Sequence, residues 1–151
     1  MSGRWTRWDR APVLVPPNHQ REPVLPDVPG LRVDVLGRPP TWNHAYRRLR
    51  DGRVVLTPEA RWWKEGVATL ALDAVNRTGW RPVGPLHGVY IWLYIGAEMD
   101  GDNATKLTLD GLARGLRVND RTFLPRLMGK WTGEAHERVV LYVVNEGRES
   151  C

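Results

Sequence analysis

Apolar and polar residues alternate over residues 31–36, and this pattern predicts a strand with one buried face. A helical pattern follows, in which Thr57 is a suitable N-cap, Pro58 fits the first helical position and Gly79 is suited to end the helix. Between these ends, one face carries Trp63, Val67, Leu70 and Ala74. We therefore expect this helix to pack through that face against a core or a second subunit.

The second half of the chain predicts three more strands and one more helix. Residues 86–95 form the longest apolar run, which indicates a central strand buried on at least one face. A helix is predicted over residues 103–116, and its buried stripe carries Leu109, Leu112 and Leu116. Two strands at 121–131 and 137–144 are expected to be joined by a hairpin-like turn. This order predicts an α/β (α+β) fold, with a mixed sheet of about four strands and two main helices packed on it.

The length of 151 residues suits one domain, which we place at residues 31–145. Residues 1–30 contain six prolines and no apolar period, so they are interpreted as a flexible N-terminal arm. Residues 146–151 are interpreted as a C-terminal tail. The chain has no apolar run long enough for a membrane span and only one cysteine, Cys151, so a cytoplasmic location is expected.

The net charge of the chain favours one class of binding partner. The chain has 22 basic and 17 acidic residues and a formal net charge of +5, which favours a polyanionic partner such as nucleic acid. Most of the basic residues are arginine, whose planar guanidinium group suits phosphate. The three lysines are Lys64, Lys106 and Lys130.

Acidic residues are concentrated directly after the long apolar run, at Asp100, Asp102 and Asp110, and again at Asp120. If Asp100 and Asp102 leave the end of the strand, their carboxylates point to the same side. Lys106 and Asp110 continue from Asp102 along one helical stripe, and Asp120 is expected to return toward the end of the strand. Carboxylates held this close need a cation between them, and Mg²⁺ prefers such oxygen ligands. The sequence therefore predicts Asp100, Asp102 and Asp120 around Mg²⁺, with Lys106 beside them.

Other interpretations of these residues remain open. Asp102 alone could be an ordinary helix N-cap, and Asp110 could form a solvated ion pair with Lys106. An EF-hand calcium loop is excluded because Thr105 stands where glycine is required and Gly111 stands where the bidentate glutamate is required.

The acidic segment reads Asp100-Gly-Asp-Asn-x-x-Lys106-x-x-x-Asp110-Gly-Leu, followed by Gly115-Leu-Arg-Val-Asn-Asp120. Upstream lie Gly37-Arg-Pro-Pro-Thr-Trp-Asn-His44 and Leu56-Thr-Pro-Glu-Ala60. In the same order, over roughly residues 31–144, these segments resemble the RusA family of Holliday junction resolvases. Two departures are visible: Asn119 replaces the first acid of the family's second acidic pair, and residues 96–99 replace an arginine run.

The resemblance implies a Mg²⁺-dependent endonuclease, with Mn²⁺ as a substitute, that resolves four-way junctions by paired phosphodiester hydrolysis. It also implies a homodimer, a role in DNA recombination and repair, and a bacterial, phage or prophage origin. The catalytic residues would be Asp100, Asp102, Lys106 and Asp120. The DNA-binding residues would be Asn43, His44, Arg47, Arg48, Arg53, Asn103, Arg114, Arg117 and Arg121. Three alternatives remain: a nuclease for flaps or forks, a non-catalytic DNA-binding module, and a structural protein that a metal ion stabilises.

Overall fold

The computed structural model describes residues 22–40, 45–97 and 101–146, with side chains from residue 105 onward in the helix that begins at Gly101. Its strands are β1 (Leu31–Leu36), β2 (Tyr46–Arg48), β3 (Val54–Leu56), β4 (Leu86–Tyr94), β5 (Phe123–Trp131) and β6 (Arg138–Glu146). Its helices are α1 (Pro58–Thr78), which precedes β4, and α2 (Gly101–Leu116), which follows β4.

Four of the strands form one mixed sheet in the order β1-β6-β4-β5. The central strand β4 runs parallel to β5 and antiparallel to β6, and β6 runs antiparallel to β1. Strands β2 and β3 form a separate two-stranded hairpin. The predicted fold class is therefore confirmed in outline, as a mixed sheet of four strands with two main helices.

The predicted hairpin between the last two strands is wrong, because β5 and β6 lie on opposite sides of β4. Their connection passes over the end of β4, where the Glu134 amide donates to the carbonyl of Ile95 at 3.1 Å. Strand β4 is apolar on both faces, with Ile91 on one and Trp92 on the other, so flanking it on both edges buries more apolar surface than a terminal hairpin would. Strand β6 also continues to Glu146, past the predicted end of its strand.

Helix α1 begins and ends where local chemistry predicts. The Thr57 hydroxyl accepts from the Ala60 amide at 3.2 Å, and Gly79 adopts a left-handed φ of 79° while its amide donates to Val75. Of the predicted apolar face, Val67 and Ala74 are buried, but Leu70 is 39% exposed.

The inner side of α1 instead continues through Ala71, which is fully buried. Ala71 lies four residues after Val67 and three before Ala74, so these three residues share one face of the helix. The small Ala71 side chain also permits close approach of α2, as described below.

Both helices pack on one face of the sheet. That inner core combines alternate residues of β1, β4 and β6 with the buried faces of α1 and α2. The outer face carries a second cluster, in which the Tyr142 hydroxyl donates to the carbonyl of Val28 at 2.6 Å and Leu25 packs beside it. Part of the predicted N-terminal arm, residues 22–30, thus contacts the outer face. Within the described ranges, no helix has the length and apolar character needed to cross a membrane.

Candidate functional site

Helices α1 and α2 touch through two glycines of α2, Gly111 and Gly115. A Cβ atom on Gly111 would lie 2.6 Å from the carbonyl oxygen of Lys64, and one on Gly115 would clash with that of Ala68. Any larger side chain would push the helices apart. The Trp63 indole N–H also donates to the Thr108 hydroxyl at 2.9 Å, which fixes the register of the two helices. This contact determines which side chains meet along the exposed edge of the helix pair.

A pair of carboxyl groups lies along that edge. Asp110 on α2 is half-buried, and its carboxyl group is hydrogen-bonded to that of Asp120. Burial is the main cause that raises the pKa of Asp110, and the hydrogen bond to Asp120 raises it further. The charges of Lys106 and Lys64 oppose this shift. Lys64, Lys106 and Asp120 thus lie within electrostatic range of Asp110, and we call these four residues the acid–lysine cluster.

The β2–β3 hairpin approaches the same cluster. Burial raises the pKa of the Tyr46 hydroxyl, and the negative charge of Asp110 raises it further, so Tyr46 lies within electrostatic range of that carboxyl. The base of the hairpin is anchored by Ala45, which packs with Ala60 and Leu107 between the helices. The Ala45 carbonyl also accepts from the backbone amide that precedes α1, at 2.9 Å.

The hairpin presents exposed arginines at Arg47, Arg48 and Arg50. Arg53 differs from them because its Nε donates to the Asp51 carboxylate at 2.8 Å, which offsets its charge. Of the arginines predicted on this segment, Arg47 and Arg48 are therefore the better placed to meet phosphate. Arg50, at the tip, was not among the predicted contacts.

The turn after α2 positions Asp120. Arg117 takes a left-handed φ of 60° where the helix ends, and the Asn119 side chain then accepts from the Arg121 amide at 2.9 Å. Asn119, the departure from the family's acidic pair, thus caps the short 3-10 turn that contains Asp120. The predicted contacts Arg114, Arg117 and Arg121 are exposed around this end of α2.

The register of the sheet places this cluster away from the end of β4. The first residue of β5, Phe123, pairs with His87 near the start of β4, and Asp120 precedes Phe123 by only three residues. Because β4 and β5 are parallel, α2 runs the length of the sheet between them. The expectation that Asp120 returns to the end of β4 is therefore wrong.

Of the predicted catalytic residues, Lys106 and Asp120 are brought together around Asp110. Asp100, Asn43 and His44 lie outside the described residues, and the side chains of Asp102 and Asn103 are likewise not described.

The donors present suit a hard divalent cation. Among the residues that the structure describes, no group of three or more histidine, cysteine or acidic side chains is arranged to hold a metal ion. Two carboxylates nevertheless suffice for Mg²⁺, which commonly keeps several waters and takes further ligands from a phosphate substrate. Asp110 and Asp120 supply such oxygens, and a bound cation would relieve their mutual repulsion.

The sequence alone favours a solvent-exposed ion pair between Asp110 and Lys106. The half-buried position of Asp110 and its hydrogen bond to Asp120 revise that interpretation. A signal was present in the stripe Asp102, Lys106 and Asp110, at i, i+4 and i+8. Lys64 carried a weaker signal, since it is one of only three lysines in a chain whose other basic residues are arginine.

The sequence of this chain matches no family model and no curated protein.

Proposed function

We propose that this protein is a Mg²⁺-dependent endonuclease for branched DNA, with four-way junctions as its main substrate, acting in the manner of the RusA family. The observation that carries the proposal is the contact between the carboxyl groups of Asp110 and Asp120, with Lys106 and Lys64 beside it. The hairpin that approaches this pair and the end of α2 both carry exposed arginines.

Repulsion within the carboxyl pair destabilises the folded protein. A destabilising arrangement of this kind supports a functional role for the two residues. Two acids in hydrogen-bond contact share a proton or repel each other, and a half-buried position strengthens that repulsion. Such an arrangement is common where a protein binds a cation or shifts the pKa of a catalytic group. On this basis Asp120, joined by Asp110, would hold Mg²⁺.

The remaining parts of the site suit phosphodiester hydrolysis. When bound, Mg²⁺ activates water and offsets the charge that develops on the phosphoryl group. Lys106 would hold its ammonium group against a phosphoryl oxygen and orient the strand. The exposed arginines Arg47, Arg48, Arg50, Arg114, Arg117 and Arg121 would neutralise neighbouring phosphates, which makes DNA binding fall steeply with added salt.

The test is cleavage of a labelled mobile four-way junction, with Mg²⁺ and with EDTA, beside linear duplex and a flap. Asp120→Asn is the test variant. Asp73→Asn is the matched control, because Asp73 is exposed on α1 and forms an ion pair with Arg77 four residues away. We expect symmetric paired nicks that require Mg²⁺, persist in Asp73→Asn and disappear in Asp120→Asn.

Three other outcomes separate the alternatives. Junction binding without cleavage in Mg²⁺ or Mn²⁺ would contradict the nuclease and indicate a DNA-binding module. Preferred cutting of the flap would retain the chemistry and change the substrate. Paired nicks also require two sites related by a twofold axis, so a wild-type protein that sediments as a monomer on the junction would contradict the proposed homodimer.

A further inference from the structure

Strand β1 has an open edge. It lies at one end of the strand order, and its neighbour among the described strands is β6. The Gly37 amide donates to the Glu137 carbonyl at 2.8 Å, and hydrogen-bonded pairs alternate with open pairs along an antiparallel ladder. Every second residue back from Gly37 therefore bonds to β6. The residues between them, Arg32, Asp34 and Leu36, direct their amides and carbonyls toward the open edge, which can accept another strand.

The charges on this edge are complementary to those of a second copy in one register. When two β1 strands pair antiparallel about Val33, Arg32 of each copy lies opposite Asp34 of the other, and both residues carry the free backbone groups. Arg32 and Asp34 already form an ion pair of 2.7 Å within each strand, so pairing joins four charges of alternating sign. An axis through Arg32 or Asp34 would instead place like charges opposite each other.

The same register also covers an exposed apolar side chain. Leu36 is 80% exposed, and an axis through Val33 places it opposite Gly30 of the second copy. A Cβ atom on Gly30 would lie 2.6 Å from the Tyr142 ring, so this position accepts no side chain of its own. The absence of that side chain leaves room for Leu36 of the other copy beside the ring.

Helix α1 lies over β1 and lines two hollows along this edge. One hollow, of about 300 Å³, lies between Trp62 and Val35, near the end of β1. The other, of about 430 Å³, lies between Thr78 and Gly30, at the start of β1. Helix α1 therefore runs antiparallel to β1, and Leu70, which lines both hollows, lies near the middle of the strand.

The axis that pairs the strands also pairs the helices. Val33 and Leu70 line the same hollow, so an axis through Val33 brings the two α1 helices side by side and antiparallel about Leu70. Paired strands lie about 4.8 Å apart and packed helices about 8–10 Å apart, which suits helices that lie over the edge strands. Trp62 and Thr78 are each eight residues from Leu70. The Trp62 ring, 75% exposed in one copy, thus faces the hollow beside Thr78 of the other.

We propose that two copies of this protein associate through the open edge of β1, with Val33 on the twofold axis. The two four-stranded sheets then form one continuous sheet, and the α1 helices pack together on it. The opposite edge, β5, is less suited because Pro125 lacks an amide hydrogen and the register shifts between Leu127 and Gly129. This inference rests on the proposed function for its need of two active sites, and its test does not require cleavage.

Disulfide cross-linking tests the register. In a Cys151→Ser background, Val33→Cys leaves one cysteine per chain, and opposite residues of an open pair have Cα atoms about 4.5 Å apart, which a disulfide can span. Val35→Cys is the matched control, because Val35 is also buried on the same face but would lie about 13 Å from its counterpart. After oxidation with diamide, non-reducing electrophoresis should show a covalent dimer for Val33→Cys and a monomer for Val35→Cys.

Sedimentation without DNA tests the contacts. Trp62→Ala should raise the dissociation constant of the dimer by about 10-fold or more, and Leu127→Ala, at the β5 edge, should leave it unchanged. Arg32→Glu should dissociate the dimer because it places two acids opposite each other. The double variant Arg32→Glu/Asp34→Arg restores opposite charges across the axis and should recover the dimer.

A wild type that sediments as a monomer, alone and on a four-way junction, would overturn the inference. Equal cross-linking of Val33→Cys and Val35→Cys would also overturn it, as would a dimer that Leu127→Ala dissociates and Trp62→Ala does not. A monomer whose β1 amides resist hydrogen exchange would show that another segment of the chain covers the edge. A dimer that cleaves no DNA would support the inference and contradict the proposed function, and a monomer that cleaves DNA would do the reverse.

Discussion

Two pairs of charged side chains illustrate opposite uses of electrostatics in this molecule. Arg126 and Glu146 reach toward each other across β4, with two hydrogen bonds of 2.8 and 3.1 Å. They meet over Gly88, where a Cβ atom would lie only 2.6 Å from the arginine, and Arg126 also stacks on the Tyr90 ring at 5.0 Å. This pair joins three strands and balances its own charge.

The pair on α2 has the reverse character. Arg126 lowers the pKa of Glu146 by hydrogen bonding, whereas burial and Asp120 raise the pKa of Asp110. Ionisation therefore stabilises the fold at β4 and opposes it at α2. A destabilising pair of charged residues is expected to be retained only where it has a function. We therefore interpret Arg126 and Glu146 as a structural ion pair, and Asp110 and Asp120 as a candidate functional site.

The largest effect should come from Asp110→Asn. If Asp110 helps to hold the cation, Mg²⁺-dependent cleavage should fall by about 10²–10³-fold, while the melting temperature stays level or rises because a repulsion is removed. Glu146→Gln is the counterpart and should lower the melting temperature with cleavage unchanged. Parallel assays of junction cleavage and thermal unfolding test both variants. Loss of cleavage in Glu146→Gln alone would reverse the assignment of the two pairs.

Gly115→Ala should act next most strongly, through packing. Its Cβ would meet the Ala68 backbone, so the helices must separate, at a cost of about 1–3 kcal/mol in the free energy of unfolding. Gly66→Ala on α1 is the matched control, because nothing lies within 4 Å of a Cβ there. That change should stabilise the protein by about 0.5–1 kcal/mol. Urea unfolding measures both, and equal effects would argue against a close helix crossing.

The pH dependence of stability should have opposite signs at the two pairs. A lowered folded pKa means that Glu146 stabilises the fold above its ordinary carboxyl pKa of about 4, and this contribution is lost as the pH falls through the folded value. A raised folded pKa means that the contribution of Asp110 is fully present below about pH 4 and is lost as the pH rises through the folded value.

Denaturant unfolding in EDTA from about pH 3 to 7 tests this difference. The deficit of Glu146→Gln relative to wild type should shrink toward acid, and the gain of Asp110→Asn should appear as the pH rises. Parallel curves for both variants and wild type would contradict the two assignments.

Arg117→Gly should have the smallest effect, but it should raise stability while it weakens the salt dependence of DNA binding. Glycine removes the strain of a left-handed φ of 60°, which is worth about 1 kcal/mol, so the protein should become more stable. The same change removes a proposed phosphate contact and should reduce the slope of junction affinity against salt by about 1. Thermal unfolding and salt-dependent binding measure the two effects. A more stable variant with an unchanged slope would remove Arg117 from the DNA surface.

Short-range sequence patterns predicted where helices and strands lie more reliably than which strands pair with each other. Thr57, Pro58 and Gly79 mark the ends of α1 because caps and turn conformations depend on residues within one helical turn. The β5–β6 hairpin was wrong because a short connection does not show which strands pair. In the structure both β5 and β6 pair with β4, on its opposite edges.

The sequence by itself determined the two helices, the central strand, the mixed sheet and the acidic stripe on α2, because periodicity and capping are encoded over short stretches. Only the tertiary structure decided that Asp120 meets Asp110 and that Lys64 joins them. Those contacts follow from two glycines that bring α1 and α2 together and from the parallel pairing of β4 with β5. Residues far apart in the chain become neighbours through packing, and no local pattern in the sequence specifies that packing.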